Sequence, residues 1–156
     1  MGSSKGRFRR VEHNVSRRAL RNAATLEMFY SRQWDRRVLS FAMYILVVED
    51  DPFLSYDLRE ALLALHPDVR EADSVGAAML ILARGLPYLA VLDYDLKAET
   101  TAALAARLAR ENVPFCYVTA DGDRVREDPE IPECPILSKP YRVGDVTALA
   151  AGLLNG

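Results

Sequence analysis

The chain has 156 residues and a formal net charge of −2, with half of its residues apolar and 27% charged. That length suits one domain with one sizeable core, and the balance excludes a fibrous or wholly disordered chain. No apolar run approaches a membrane span. Two cysteines exclude a disulfide scaffold, and neither falls in a zinc-binding pattern.

The charge is divided unevenly. Residues 1–42 carry ten Lys or Arg against three acids, a net of +7, whereas 43–156 carry ten basic and nineteen acidic residues, a net of −9. We read 1–42 as a basic N-terminal extension and 43–156 as the folded domain. Gly2, Ser3, Ser4 and Gly6 suggest a flexible lead, while Val15, Ala19, Ala23, Leu26 and Tyr30 recur at helical spacing with a thin apolar stripe. No apolar core of signal-peptide length follows the basic residues. Phe8, Phe29, Tyr30 and Trp34 stand among the arginines, so a nucleic-acid-binding arm is one reading. A charge run is more often a solvated or partner-bound tail, and we expect no nucleic-acid partner.

From Met43 onward the elements alternate. Tyr44–Val48 is a continuous β-branched and apolar run, as in a strand buried on both faces. Pro52 opens a helix with Leu54, Leu58, Ala61, Leu62 and Leu65 on one face, closed by His66-Pro67. Val69–Ala72 is a second strand. Ser74 caps a second helix with Val75, Met79 and Leu82 inward, ending near Gly85. Tyr88–Leu92 is a third strand, and Thr100 to Arg110 a helix with Leu104 and Leu108 inward. Phe115–Val118 is a fourth strand, and Ile136–Leu137 a short fifth. Val143, Val146, Leu149, Ala150 and Leu153 mark a last helix. The polar segment from Ala120 to Glu133, with Pro129 and Pro132, leaves room for a short helix at most. Five alternations of strand and helix predict an α/β fold, a doubly wound parallel sheet with helices on both faces.

Ligands in such sheets bind at the carboxyl ends of the strands. The first apolar run ends in Glu49-Asp50-Asp51, the third in Asp93-Tyr94-Asp95, the fourth in Thr119, and the fifth in Ser138-Lys139-Pro140. Carboxylates, a hydroxyl and an ammonium thus meet at one sheet edge. Phosphoryl transfer assisted by magnesium fits this set. Magnesium takes oxygen ligands, and Glu49 or Asp50 with Asp93 supply negative charge. Lys139 and Thr119 can contact phosphoryl oxygens, and a carboxylate nucleophile forms an acyl phosphate. Taken singly, an acidic triplet is usually a solvated helix start and Lys139 a surface lysine; the joint occurrence at consecutive strand ends carries the specificity. Cys116 reads as a small core residue and Cys134 as a loop thiol, while His13 and His66 receive no role.

ILVVEDD (Ile45–Asp51), VLDYDL (Val91–Leu96), VTA (Val118–Ala120) and KP (Lys139-Pro140) form a set that resembles the receiver domains of two-component response regulators. The resemblance spans 43–154, and the stretch from VLDYDL through VTADGD is closest to short, stand-alone receivers of alphaproteobacteria. It implies a five-stranded sheet in the flavodoxin-like order 2-1-3-4-5. It implies Asp93 as phosphoacceptor, Glu49 and Asp50 as the acidic pair for magnesium, and the backbone carbonyl of Asp95 as a further ligand. Thr119 becomes the switch hydroxyl, Lys139 the invariant-type lysine, and Lys139–Pro140 a cis peptide. The implied function is a single-domain cytoplasmic regulator, not a turnover enzyme, phosphorylated by a histidine kinase or histidine phosphotransfer protein. It signals to a downstream protein, or hands the phosphoryl group on, and a homodimer is compatible with this. No membrane partner is expected.

Three positions depart from the family pattern. Ile136 stands where an aromatic switch residue is usual, Leu96-Lys97-Ala98 replaces a Met-Pro turn, and the fourth-helix region is short and contains proline. Asp95 and Asp121, two residues past Asp93 and Thr119, are candidates for tuning access to the acyl phosphate. The competing reading is a haloacid-dehalogenase-like magnesium phosphatase, which also uses a DxD, a Thr and a Lys. That family places its acidic pair after the lysine, where this chain has Asp145 alone.

Overall fold

The computed structural model describes residues 44–155. The basic extension, with its candidate helix and aromatic residues, lies outside the described residues. The elements in chain order are β1 (Ile45–Val48), α1 (Pro52–Leu63), β2 (Val69–Ala72), α2 (Val75–Leu82), β3 (Leu89–Leu92), β4 (Asp95–Leu96), β5 (Glu99–Thr100), α3 (Ala102–Arg110), β6 (Phe115–Thr119), α4 (Gly122–Glu127), β7 (Ile136–Ser138) and α5 (Val143–Asn155).

Five strands form one parallel sheet in the order β2-β1-β3-β6-β7, the order expected from the resemblance once the two-residue strands β4 and β5 are set aside. Successive side chains of a strand point to opposite faces, so each central strand feeds two cores. Leu46, Val48, Ala90, Leu92, Phe115 and Tyr117 face α2 and α3, with Val125 of α4 added. Ile45, Val47, Leu89, Val91, Cys116 and Val118 face α1 and α5. Every residue of β1 and β3 is 0% exposed, which is why these runs carry no polar residue until they end.

Local chemistry sets the helix starts. The Asp51 carboxylate accepts from the backbone N–H groups of Phe53 and Leu54, and Pro52 fills the first helical position, where no N–H is needed. Ser74 caps α2 by accepting from Ala77, and Asp121 caps α4 by accepting from Arg124. Gly85 has φ 150°, a conformation that disfavours a side chain, and its carbonyl accepts from the Tyr44 hydroxyl at 2.7 Å.

One expectation is corrected and one is extended. The segment predicted to enter a helix at Thr100 first makes an antiparallel hairpin, pairing Asp95 with Thr100 and Leu96 with Glu99, so that α3 starts at Ala102. On α2 Leu82 is buried and Val75 and Met79 pack half-buried against the core, as expected, and Ala78, which the expectation omitted, is buried with them. Because VGAAMLIL is apolar all round, spacing alone does not single out Ala78. The Ala120–Glu133 segment holds a helix of six residues, within the limit its prolines set. No helix among the described residues is long and apolar enough to cross a membrane.

Candidate phosphoacceptor site

The ladders decide which side chains meet. Val48 pairs with Leu92 and the Asp93 N–H donates to the Val48 carbonyl at 2.8 Å, so Glu49 and Asp93 emerge side by side. Thr119 pairs with Ser138, and the Lys139 N–H donates to the Thr119 carbonyl at 2.8 Å. The Lys139–Pro140 peptide is cis, as the resemblance implied.

Lys139 reaches from the far side of the site. Its Nζ donates to Glu49 Oε2 at 2.7 Å and to Asp93 Oδ2 at 2.5 Å. The side chains of Glu49 and Asp93 are 1% and 10% exposed, so this is a largely desolvated ion pair that needs all its partners. Burial lowers the proton affinity of the Lys139 ammonium, but the hydrogen bonds to Asp93 and Glu49 outweigh it and the net shift is upward from 10.5. Burial pushes the Glu49 carboxyl above its usual 4.5, with Asp93 adding to the rise, while Lys139 and the Asp51 N–H oppose it.

Ligand oxygens of Glu49, Asp50 and Asp93 lie within 4.8 Å of one another. Three converging carboxylates against one ammonium leave excess negative charge in an all-oxygen donor set, which fits a hard divalent cation such as magnesium. Asp50 Oδ2 accepts from the Lys97 N–H at 3.1 Å, and Lys97 Nζ stands 3.8 Å from the same oxygen. Asp51, third of the acidic triplet, is used as the helix cap.

Of the remaining candidates, Thr119 is 1% exposed, and its hydroxyl accepts from the Asp121 N–H at 3.4 Å. The carboxylate of Asp95 does not join the acidic cluster; it pairs with Arg124 at 2.5 Å, leaving its backbone carbonyl as the group the expectation named. Asp93 is also held from its own backbone. Its Oδ1 accepts from the Tyr94 N–H at 2.7 Å, and its carbonyl accepts from the Thr101 hydroxyl at 2.7 Å. Thr101 and Arg124 escaped the sequence reading, and Lys97 was noted there only as a departure in the turn, not as a partner of Asp50. Thr101 is 0% exposed although it stands in a polar run, so only the tertiary fold reveals it.

No protein-family model matches the chain, and no curated protein sequence matches it. Solved structures do. The REC domain of the PhyR response regulator from Erythrobacter litoralis superposes with a TM-score of 0.63 at 24% identity, over 72% of this chain and 90% of that one. SdrG from Sphingomonas melonis Fr1 is 29% identical, with a TM-score of 0.59 over 73% of this chain and 98% of its own. The non-phosphorylated HemR receiver domain from Leptospira biflexa is 25% identical, with a TM-score of 0.61 over 71% and 93%. The described residues have the fold of these response-regulator receiver domains. In this fold the acidic cluster, Thr119 and Lys139 stand at the sheet edge where doubly wound sheets bind ligands.

Proposed function

We propose that this receiver accepts a phosphoryl group on Asp93 from a phosphohistidine of a histidine kinase or histidine phosphotransfer protein. The supporting observation is the Lys139 ammonium joining Glu49 and Asp93 across the sheet edge, beside a third carboxylate from Asp50. In the step, an Asp93 carboxylate oxygen forms a bond to phosphorus while the donor's N–P bond breaks, and the departing imidazole takes up a proton. The product is an acyl phosphate.

Each residue has a task. The Tyr94 N–H and Lys139 hold one Asp93 oxygen each, which fixes the carboxylate in one orientation for in-line attack. Glu49, Asp50 and Asp93, with the carbonyl of Asp95, hold a magnesium ion, which when bound neutralises charge on the incoming phosphoryl oxygens. Lys139 exchanges its contact with Asp93 for one with a phosphoryl oxygen, and Thr119 donates its hydroxyl to another. The state is then read by a protein partner, in the cytoplasm, without substrate turnover.

Acetyl phosphate with magnesium tests this reading. Wild-type protein is expected to take up one phosphoryl group per chain, and Asp93→Asn none. Labelling that persists in Asp93→Asn puts the acceptor elsewhere. Sustained hydrolysis of a generic phosphomonoester makes the protein a phosphatase instead.

A further inference from the structure

Phosphorylation of Asp93 has to reach a surface that a partner reads. Ile136 offers neither a ring to turn nor a polar tip, and it is closely backed by α4: a Cβ added at Gly122 would stand 3.3 Å from Ile136 Cγ2. The segment directly after the phosphoacceptor is tied to α4 in a different way.

Tyr94, 5% exposed as a residue, donates its backbone N–H to Asp93 Oδ1 at 2.7 Å, while its ring packs edge-on against Tyr117 at 6.1 Å. Its hydroxyl donates to Asp128 Oδ2 at 2.8 Å, and Asp128 is the C-cap of α4. The other carboxylate oxygen of Asp128 accepts from the Glu130 N–H at 2.9 Å, which fastens the start of the following loop. At the first turn of α4, Arg124 lies over the Tyr94 ring, 5.0 Å from its centroid, and pairs with Asp95. Both ends of α4 are therefore held by the two residues that follow Asp93. A surface pair such as Arg124–Asp95 is weak alone. The buried Tyr94 ring gives the connection its stiffness.

We propose that Tyr94 is the positioning residue that couples the state of Asp93 to α4 and the loop at 128–133, in place of an aromatic residue at position 136. The proposal rests on the phosphoacceptor reading above. Phosphorylation of Asp93 converts the carboxylate into an acyl phosphate whose carbonyl oxygen no longer carries carboxylate charge and is a weaker acceptor for the Tyr94 N–H. The backbone at Tyr94 relaxes, the ring follows, and the Asp128 cap follows the hydroxyl. The population of α4 arrangements then shifts with the site.

Hydrogen exchange on the full chain, with and without magnesium and beryllium fluoride as a phosphoryl stand-in, tests this. In the wild type, exchange is expected to change both around Thr119 and Lys139 and across 122–133. In Tyr94→Phe, which keeps the ring and removes the hydroxyl, the change at 122–133 is expected to be lost while that around Lys139 remains. Ile136→Ala is expected to retain both. An unaltered response at 122–133 in Tyr94→Phe overturns the proposal. So does a variant whose exchange rises equally with and without the stand-in, because that is a merely structural effect. A wild type with no response even around Lys139 defeats the phosphoacceptor reading itself, and Asp93→Asn sets that baseline.

Discussion

The two halves of the sheet have different characters. β1 and β3 are fully buried along their whole length, pair with each other residue for residue, and end in Glu49 and Asp93. β6 and β7 end in Thr119 and Lys139, and α4, six residues long, lies in the polar connection between them. β7 is half-buried or exposed throughout. The first half is a fixed platform that presents charge. The second answers that charge with one hydroxyl, at the end of the buried β6, and one ammonium, at the end of the more exposed β7. The proposed phosphoryl transfer would use both, a carboxylate held in one orientation and a cation that can exchange partners beside it.

Core truncation probes this contrast with the largest effect. Leu92→Ala, at a fully buried position of β3, is expected to cost about 2–5 kcal/mol in denaturant unfolding. Ile136→Ala, at a half-buried position, should cost clearly less. Equal costs would erase the distinction between the buried platform and the more exposed β7 edge.

Lys139 joins the halves, so its removal is next in size. Lys139→Ala leaves buried carboxylates without their cation, and about 3 kcal/mol of stability should be lost in metal-free buffer. Magnesium is expected to restore more stability to this variant than to wild type, read as a larger rise in Tm along a magnesium titration. An equal rise in both would separate the acidic cluster from Lys139.

Acidity gives a smaller, graded test on the platform side. Glu49 is raised above 4.5 in the folded protein. Its protonated form is thus relatively favoured by folding, so its contribution to metal-free stability is full below pH 4.5 and is lost as pH rises through the folded value. Magnesium needs the ionised form. Its affinity should accordingly begin to fall on acidification while the pH is still above 4.5, and Glu49→Gln should remove that part of the profile. Asp51→Ala is the mildest case. It removes a helix cap and should cost about 1 kcal/mol without changing magnesium affinity, which would separate the third acid of the triplet from its neighbours.

The platform was more legible in the sequence than the β6–β7 half. YILVV and YLAVL are continuous apolar runs, and a carboxylate directly after such a run falls at a strand end whatever the details of packing. Lys139 was readable for the same reason, because Ile136 and Leu137 precede it. The β4–β5 hairpin was not, since two-residue strands made of Asp, Leu, Glu and Thr carry no periodicity. Thr101 and Arg124 were hidden because their partners stand eight residues back on Asp93 and 29 residues back on Asp95. On α2 the burial of Ala78 was hidden because VGAAMLIL is apolar on every side, with Leu80 72% exposed.

The pairing of Val48 with Leu92 has a consequence for how the chain can vary in length. Side chains alternate along a strand, so a single residue added within β1 or β3 would swap the two cores and carry Glu49 or Asp93 out of alignment with its neighbour. The connections at 64–68, 83–88 and 111–114 enter the sheet from its opposite edge, with whole strands between them and the acidic cluster. Insertions tolerated there, and refused between Val48 and Asp51 or between Leu92 and Asp95, would divide the molecule into an edge that can be lengthened and an edge that cannot.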